Sequence, residues 1–224
     1  MLTLADLIES EQGIRPSSTT PGITEAVVDS RQAIPGSLFI AYQGEKVDGH
    51  AYVADAFKHG ATLALVEKDI DPSIPILDLT KPVDENAAYP SLPFAIKVKN
   101  SQNSLTKLAA FWRRKFTPRV IGITGSVGKS TTKELVAEIL SSRFRTLKNQ
   151  GNLNNEIGLP LTMLRLSPGY QKVVVEMGFY YPGEIAQLCQ IALPHVGILT
   201  NIGTVHAERA GSQETIAKGK SELV

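Results

Sequence analysis

Arg119-Val120-Ile121-Gly122-Ile123-Thr124-Gly125-Ser126-Val127-Gly128-Lys129-Ser130-Thr131 is the stretch that decides the fold. An apolar run of strand length stops at Thr124 and a helical pattern starts at Lys129, so the glycines occupy a strand-to-helix turn. Glycine lets the backbone curl until successive amide N–H groups face one point, and the positive end of the helix faces the same point. That nest suits the phosphates of ATP, with Lys129 reaching the outer phosphates and the Ser130 hydroxyl placed to ligate Mg²⁺. The residues expected to cradle phosphate are Gly125, Ser126, Val127, Gly128, Lys129, Ser130 and Thr131. The strict motif has glycine where Ile123 stands, so this is a shortened variant.

Working outward, strand and helix patterns alternate. A helix is expected over 129–142, a strand near Thr146, a helix over 157–165, a strand over 172–176, a helix over 184–191, a strand over 196–202 and a last helix from Gln213. Such alternation predicts a parallel sheet with helical crossovers. Upstream, Leu105, Leu108, Ala109, Trp112 and Phe116 recur at helical spacing until Thr117-Pro118. Residues 1–98 read as a separate small α/β domain, with strands at 26–28, 38–41, 62–66 and 94–98, a helix over 51–58 and an exposed proline-bearing loop over 81–91. The expected organisation is thus 1–98 followed by a parallel-sheet nucleotide domain over 99–224. The last helical pattern reaches Val224 without a stop signal, so that second domain is expected to be truncated.

Composition narrows the partners. Lysine and arginine (23) nearly cancel aspartate and glutamate (22), which argues against a surface that coats nucleic acid or lipid. No basic leader followed by an apolar stretch opens the chain, and no apolar run reaches spanning length, so a cytoplasmic protein without membrane insertion is expected. The single cysteine, Cys189, excludes an internal disulfide and sits in an apolar stretch, where an inert thiol is expected.

Other polar residues must say what is done with the nucleotide. Glu176 closes an apolar strand at the carboxyl edge of the sheet, where ligands of open α/β sheets gather; it suits a second Mg²⁺ ligand, or equally a solvated turn residue. His206 follows the turn Thr200-Asn201-Ile202-Gly203 at the same edge, and on spacing alone it is more readily an exposed turn residue. Asn149 to Glu156 holds four asparagines and a glycine, rich in donors and acceptors but also ordinary turn chemistry.

Taken together these blocks resemble the Mur ligase family of cell-wall synthesis. The similarity rests on the phosphate loop, Asn152-Leu153-Asn154-Asn155-Glu156-Ile157-Gly158-Leu159-Pro160, Glu176-Met177-Gly178 with Pro182-Gly183-Glu184-Ile185, and Asn201-Ile202-Gly203 with His206. The first domain agrees in Asp29-Ser30-Arg31, Pro35-Gly36, Leu38-Phe39-Ile40-Ala41, Gly44 and Asp48-Gly49-His50. Within the family, the asparagine block and the Gly-Glu-Ile segment look most like the member that adds D-alanyl-D-alanine to UDP-N-acetylmuramoyl-tripeptide.

The resemblance implies a uridine-nucleotide domain, with Ser30, Arg31, Gly44, Asp48, Gly49 and His50 near the substrate's diphosphate, and an ATPase domain with Asn154 and Asn155 at the nucleotide. Glu176 and His206 match the family's magnesium ligands. Lys220 matches the lysine that many members carbamylate, with Lys218 a rival two residues away. Lys129, His206 and Lys220 are then the expected catalytic residues of a monomeric ligase. Phe179-Tyr180-Tyr181 departs from the smaller polar residues usual before Pro-Gly-Glu-Ile. Open alternatives are another ligase of the same family, a folylpolyglutamate-type ligase, and a P-loop kinase or GTPase. The guanine-reading Asn-Lys-x-Asp run of GTPases is absent from the sequence.

Overall fold

A computed structural model describes residues 1–44, 47–86, 88–203 and 212–224. The chain forms two compact units, Met1–Phe111 and Trp112–Val224.

In the first unit, β1 (Leu2–Thr3) pairs antiparallel with β2 (Gly22–Ile23). Between them lies α1 (Leu4–Gln12), started by a capping box in which Thr3 and Asp6 satisfy each other's backbone amides and stopped by Gly13 in the left-handed region. The main sheet is parallel and ordered β3-β4-β5-β7-β6, from β3 (Ala26–Val27), β4 (Leu38–Ile40), β5 (Leu63–Val66), β6 (Ile76–Asp78) and β7 (Phe94–Lys97). β5 is buried throughout, as a strand covered on both faces must be. A 3₁₀ turn (Gly49–Tyr52) leads into α2 (Val53–His59), whose Val53 and Ala56 pack against Phe39, Ala41, Ala64 and Val66.

The expected strands of this unit are present, and α1, β1, β2 and β6 are additional. The helix expected from Ala51 opens as a 3₁₀ turn because the Asp48 side chain caps His50 and tightens the first turn. The loop at 81–91 is largely exposed, as read, and is tied down by Gln12, which donates to the Leu79 and Lys81 carbonyls and accepts from the Val83 amide. α3 (Ser101–Arg113) ends three residues short of Phe116, because the Arg113 guanidinium holds the Phe116 carbonyl (2.8 Å) and turns the chain toward Pro118.

The second unit is a parallel sheet ordered β11-β8-β10-β9, from β8 (Arg119–Thr124), β9 (Thr146–Lys148), β10 (Lys172–Glu176) and β11 (Val196–Leu199). Its helices are α4 (Lys129–Ser141), α5 (Gly158–Leu164), α6 (Glu184–Ala192) and α7 (Gln213–Ser221). The two inner strands, β8 and β10, carry the core in Val120, Ile123 and Val173 to Val175. The chain leaves β8 toward β9 and leaves β10 toward β11 on the other side of β8, so the carboxyl ends of β8, β10 and β11 meet at one edge, where ligands of such sheets bind. β11 stops at Leu199 instead of running to 202, because Asn201 turns its hydrogen bonds onto the loop after β8. Among the described residues no helix is long and apolar enough to cross a membrane.

Candidate functional site

The turn after β8 is curled, with Gly125 at φ 148° and Gly128 at φ 86°. A side chain at Gly125 would meet a second obstacle, since its Cβ would fall 1.8 Å from Thr200 Oγ1. The first backbone bond back into α4 runs from the Thr132 amide to the Gly128 carbonyl (2.9 Å), so the amides of Lys129, Ser130 and Thr131 open at the helix N-terminus. The positive end of a 13-residue helix lies behind them. Lys129 Nζ donates to the Gly125 carbonyl (2.8 Å), which folds the lysine over the loop, and the Ser130 side chain is exposed on the first turn.

Lys220 comes to the same carbonyl from α7, with Nζ 3.1 Å from Gly125 O, although it is 95 residues away in sequence. It is 2% exposed, and its ammonium lies 4.9 Å from the centre of the Phe179 ring. Burial first, and repulsion from Lys129 second, bring its pKa down to about 8. Lys218, the alternative, is exposed on α7. Phe179 also packs hard against Gly219, where an added Cβ would fall 2.0 Å from the ring.

Glu176 is 2% exposed and stands one strand over from Ile123 in register. One carboxylate oxygen accepts from Asn154 Nδ2 (2.8 Å); the other, Oε2, is buried with no hydrogen-bond partner among the described residues. A buried carboxylate oxygen without a donor is costly, and a hard cation is the partner its chemistry suits. The Ser130 hydroxyl adds a second oxygen donor of the same kind. No group of three or more His, Cys, Asp or Glu side chains gathers among the described residues. His206 lies outside the described residues.

The asparagine block works largely as scaffold. Asn149, fully buried, accepts from the Glu176 amide (3.0 Å) and donates to its carbonyl (3.1 Å), extending the ladder by a side chain where β9 has ended. Asn154 holds Glu176, and Asn155 Oδ1 accepts from Gly158 N (2.9 Å) at the start of α5. Lys133, 1% exposed, donates to the Asn149 and Gly151 carbonyls and so fixes this block to α4. Asn149, Lys133, Thr200 and Asn201 hold the backbone around the loop through bonds that sequence spacing does not assign to them. Cys189 is half-buried, and burial raises its pKa to about 11, so its thiol stays protonated at neutral pH.

In the first unit a cleft of about 590 Å³ is lined by Ser30, Arg31, Gly44 and Gly49, together with Val28, Asp29, Phe39, Tyr42, Val47, Tyr52 and Asp55. Ser30 donates to Asp55 (2.6 Å), and Arg31 forms a two-pronged pair with Asp29 (2.9 and 2.6 Å), 80% exposed. Asp48 and His50 do not line the cleft. His50 is buried, bonded to Asp48 through Nδ1 (2.7 Å) and accepting from the Glu67 amide at Nε2 (2.9 Å), which sets the tautomer with hydrogen on Nδ1. Hydrogen bonds from Lys68 and His50 hold the Asp48 carboxyl well below the usual carboxylate range.

Both units match known families. Residues 23–113 fit the model "Mur ligase family, catalytic domain", and residues 123–224 fit "Mur ligase middle domain". The UDP-N-acetylmuramoyl-tripeptide--D-alanyl-D-alanine ligase of Synechocystis sp. is 38% identical over 90% of this chain and 41% of its own length. Its Bacillus subtilis counterpart is 35% identical over 99% of this chain and 46% of its own. A crystal structure of MurF from Acinetobacter baumannii superposes with a TM-score of 0.81 at 35% identity, over 99% of this chain and 46% of that one. MurF from Thermotoga maritima in complex with ADP gives 0.73 at 34% identity, over 89% of this chain and 42% of that one. The chain thus spans less than half the length of each of these relatives. With two successive modules of one family matched in order, the chain belongs to the Mur ligase family and carries its N-terminal and middle domains.

Proposed function

We propose that this chain is the part of an ATP-dependent amide ligase that holds the uridine-nucleotide substrate and ATP, and that the whole enzyme joins D-alanyl-D-alanine to UDP-N-acetylmuramoyl-tripeptide. Support comes first from the loop: open helix amides, Lys129 folded over them, and a buried carboxylate with an unpaired oxygen beside them. The relatives that match over most of the chain carry that activity in their names. The domain reading is 1–98 for the uridine nucleotide and 99–224 for ATP, in a cytoplasmic monomer.

A carboxylate is a poor electrophile, because its charge repels an amine and its leaving group would be oxide. Transfer of the γ-phosphoryl group onto it gives an acyl phosphate, which the dipeptide amine attacks as phosphate leaves. Two anions must approach closely for the first step, and the Lys129 ammonium with the α4 amides offsets their repulsion. Bound Mg²⁺, held by Ser130, Glu176 and in this reading His206, would supply further charge neutralisation. Lys220, with its depressed pKa, has a share of neutral amine at neutral pH that can add to CO₂, losing a proton and becoming an anionic oxygen donor. Ser30, Arg31, Gly44 and Gly49 in the first-unit cleft would face the uridine diphosphate, with Asp48 and His50 shaping the turn behind it.

Calorimetric titration tests this directly. The chain should bind Mg·ADP, and should bind UDP-N-acetylmuramoyl-tripeptide more tightly than its shorter precursors. No heat with any uridine muropeptide would remove the ligase assignment, and equal heats would move it to another member of the family.

A further inference from the structure

We infer that Asn201 is a positioning residue of the phosphate loop, holding the loop's curl through its side-chain carbonyl so that the amides at the start of α4 meet phosphate already aligned. The inference rests on reading that loop as the nucleotide site. Asn201 Oδ1 accepts from two successive loop amides, Ser126 N (3.1 Å) and Val127 N (2.9 Å), and its backbone carbonyl also accepts from Ser126 N (3.1 Å). Neighbouring residues complete the seam. Thr200 Oγ1 donates to the Val127 carbonyl (2.7 Å), and the Gly203 amide donates to Ser126 Oγ (2.9 Å).

Among the described residues no other side chain accepts from the Ser126 and Val127 amides. Val127 is 59% exposed, so no apolar packing anchors the tip of the loop. Gly125 and Gly128, on either side, are the residues least able to restrict their own backbone. A loop of this kind loses conformational freedom when it closes on phosphate, and ordering it beforehand removes that cost from binding. The choice of asparagine also has a chemical reason. A carboxylate would accept from the same amides, but would place a negative charge beside the nest that must receive phosphate. A carboxamide holds the loop and leaves the nest positive.

The test uses the 224-residue chain, ADP with a fluorescent tag on its ribose, and amide hydrogen exchange. Losing two hydrogen bonds to the loop, N201A should weaken Mg·ADP about tenfold. It should also speed exchange at Val127, whose amide loses its acceptor, more than at Ser126, which keeps the backbone carbonyl of residue 201, while leaving the melting temperature in place, a pattern that general destabilisation would not give. N201D keeps the acceptor, so slow exchange at Val127 should return, while affinity should fall more for ATP than for AMP. Binding of ADP by N201A as tight as the parent's, or tighter, overturns the proposal, as does unchanged exchange at Val127. If N201A does not fold, equal losses for AMP and ATP in N201D overturn it. Failure of the parent chain to bind ADP would instead remove the nucleotide reading, and the exchange measurement would still judge the hold of Asn201 on the loop.

Discussion

In the first unit the polar groups in and behind the cleft are bonded to one another: Ser30 to Asp55, Arg31 to Asp29, and Asp48 to both His50 and Lys68. In the second unit the edge of a similar parallel sheet keeps groups in reserve. The amides at the start of α4 open outward, Glu176 Oε2 has no donor among the described residues, and two lysines converge on one carbonyl. The difference separates two ways of building a site. Self-satisfied turns give a rigid cleft of fixed shape, and groups in reserve give a site that is costly until an anion and a cation complete it. Substitutions should therefore act on stability in the first unit and on binding in the second.

The largest expected effect lies in the second unit. Lys129→Ala should weaken Mg·ADP about a hundredfold, the scale of a charge-assisted bond to phosphate, and shift the melting temperature by no more than about 2 °C. Undiminished binding in a titration would break the comparison at its strongest point. In the first unit, His50→Ala removes the acceptor of the Glu67 amide and one donor to Asp48, and should cost about 2 kcal/mol in chemical denaturation. ADP affinity should be unchanged; a loss there would mean that the two units are not separable in this way.

The smallest effect has the opposite sign. Lys220→Met should stabilise the chain by about 1 kcal/mol at pH 7 in bicarbonate-free buffer, because it removes a cation held in a desolvated place. The folded pKa of Lys220, about 8, is below the ordinary lysine value of 10.5. Its penalty is therefore full below pH 8, lifts as pH rises from 8 to 10.5, and is gone above that, so the gain from Lys220→Met should vanish across the same window. Thermal melts at several pH values measure this. A gain that grows with pH would show that Lys220 is not a strained cation.

The sequence made the second unit legible because its signals are local. The apolar run into Gly125, the lysine and hydroxyls after Gly128, and the turn between each strand and helix all lie within a few residues of the element they define. β6 was hidden by the prolines at 72 and 75 and by the half-buried character of Ile76, Leu77 and Asp78, which gives no inside-outside alternation. α1 did carry a readable signal, Thr3 with Asp6 and a stop at Gly13. The roles of Asn201, Asn149 and Lys133 were not readable. Each acts on a partner 16 to 75 residues away, and an asparagine in a turn or a lysine on a helix looks the same whether it faces water or a backbone carbonyl. Asp48 and His50, which only the resemblance puts near the diphosphate, support a turn in the fold.

The carbonyl of Gly125 receives one lysine from four residues away and another from 95 residues away. On a ribosome, the first contact becomes possible as soon as α4 emerges, and the second only when α7 has cleared the exit tunnel. A nascent chain can thus display a glycine-rich loop long before that loop has its second cationic neighbour, so nucleotide captured early would meet an unfinished pocket. The surroundings of Gly125 are in this sense timed by translation, with α7 delivered well after the loop it meets.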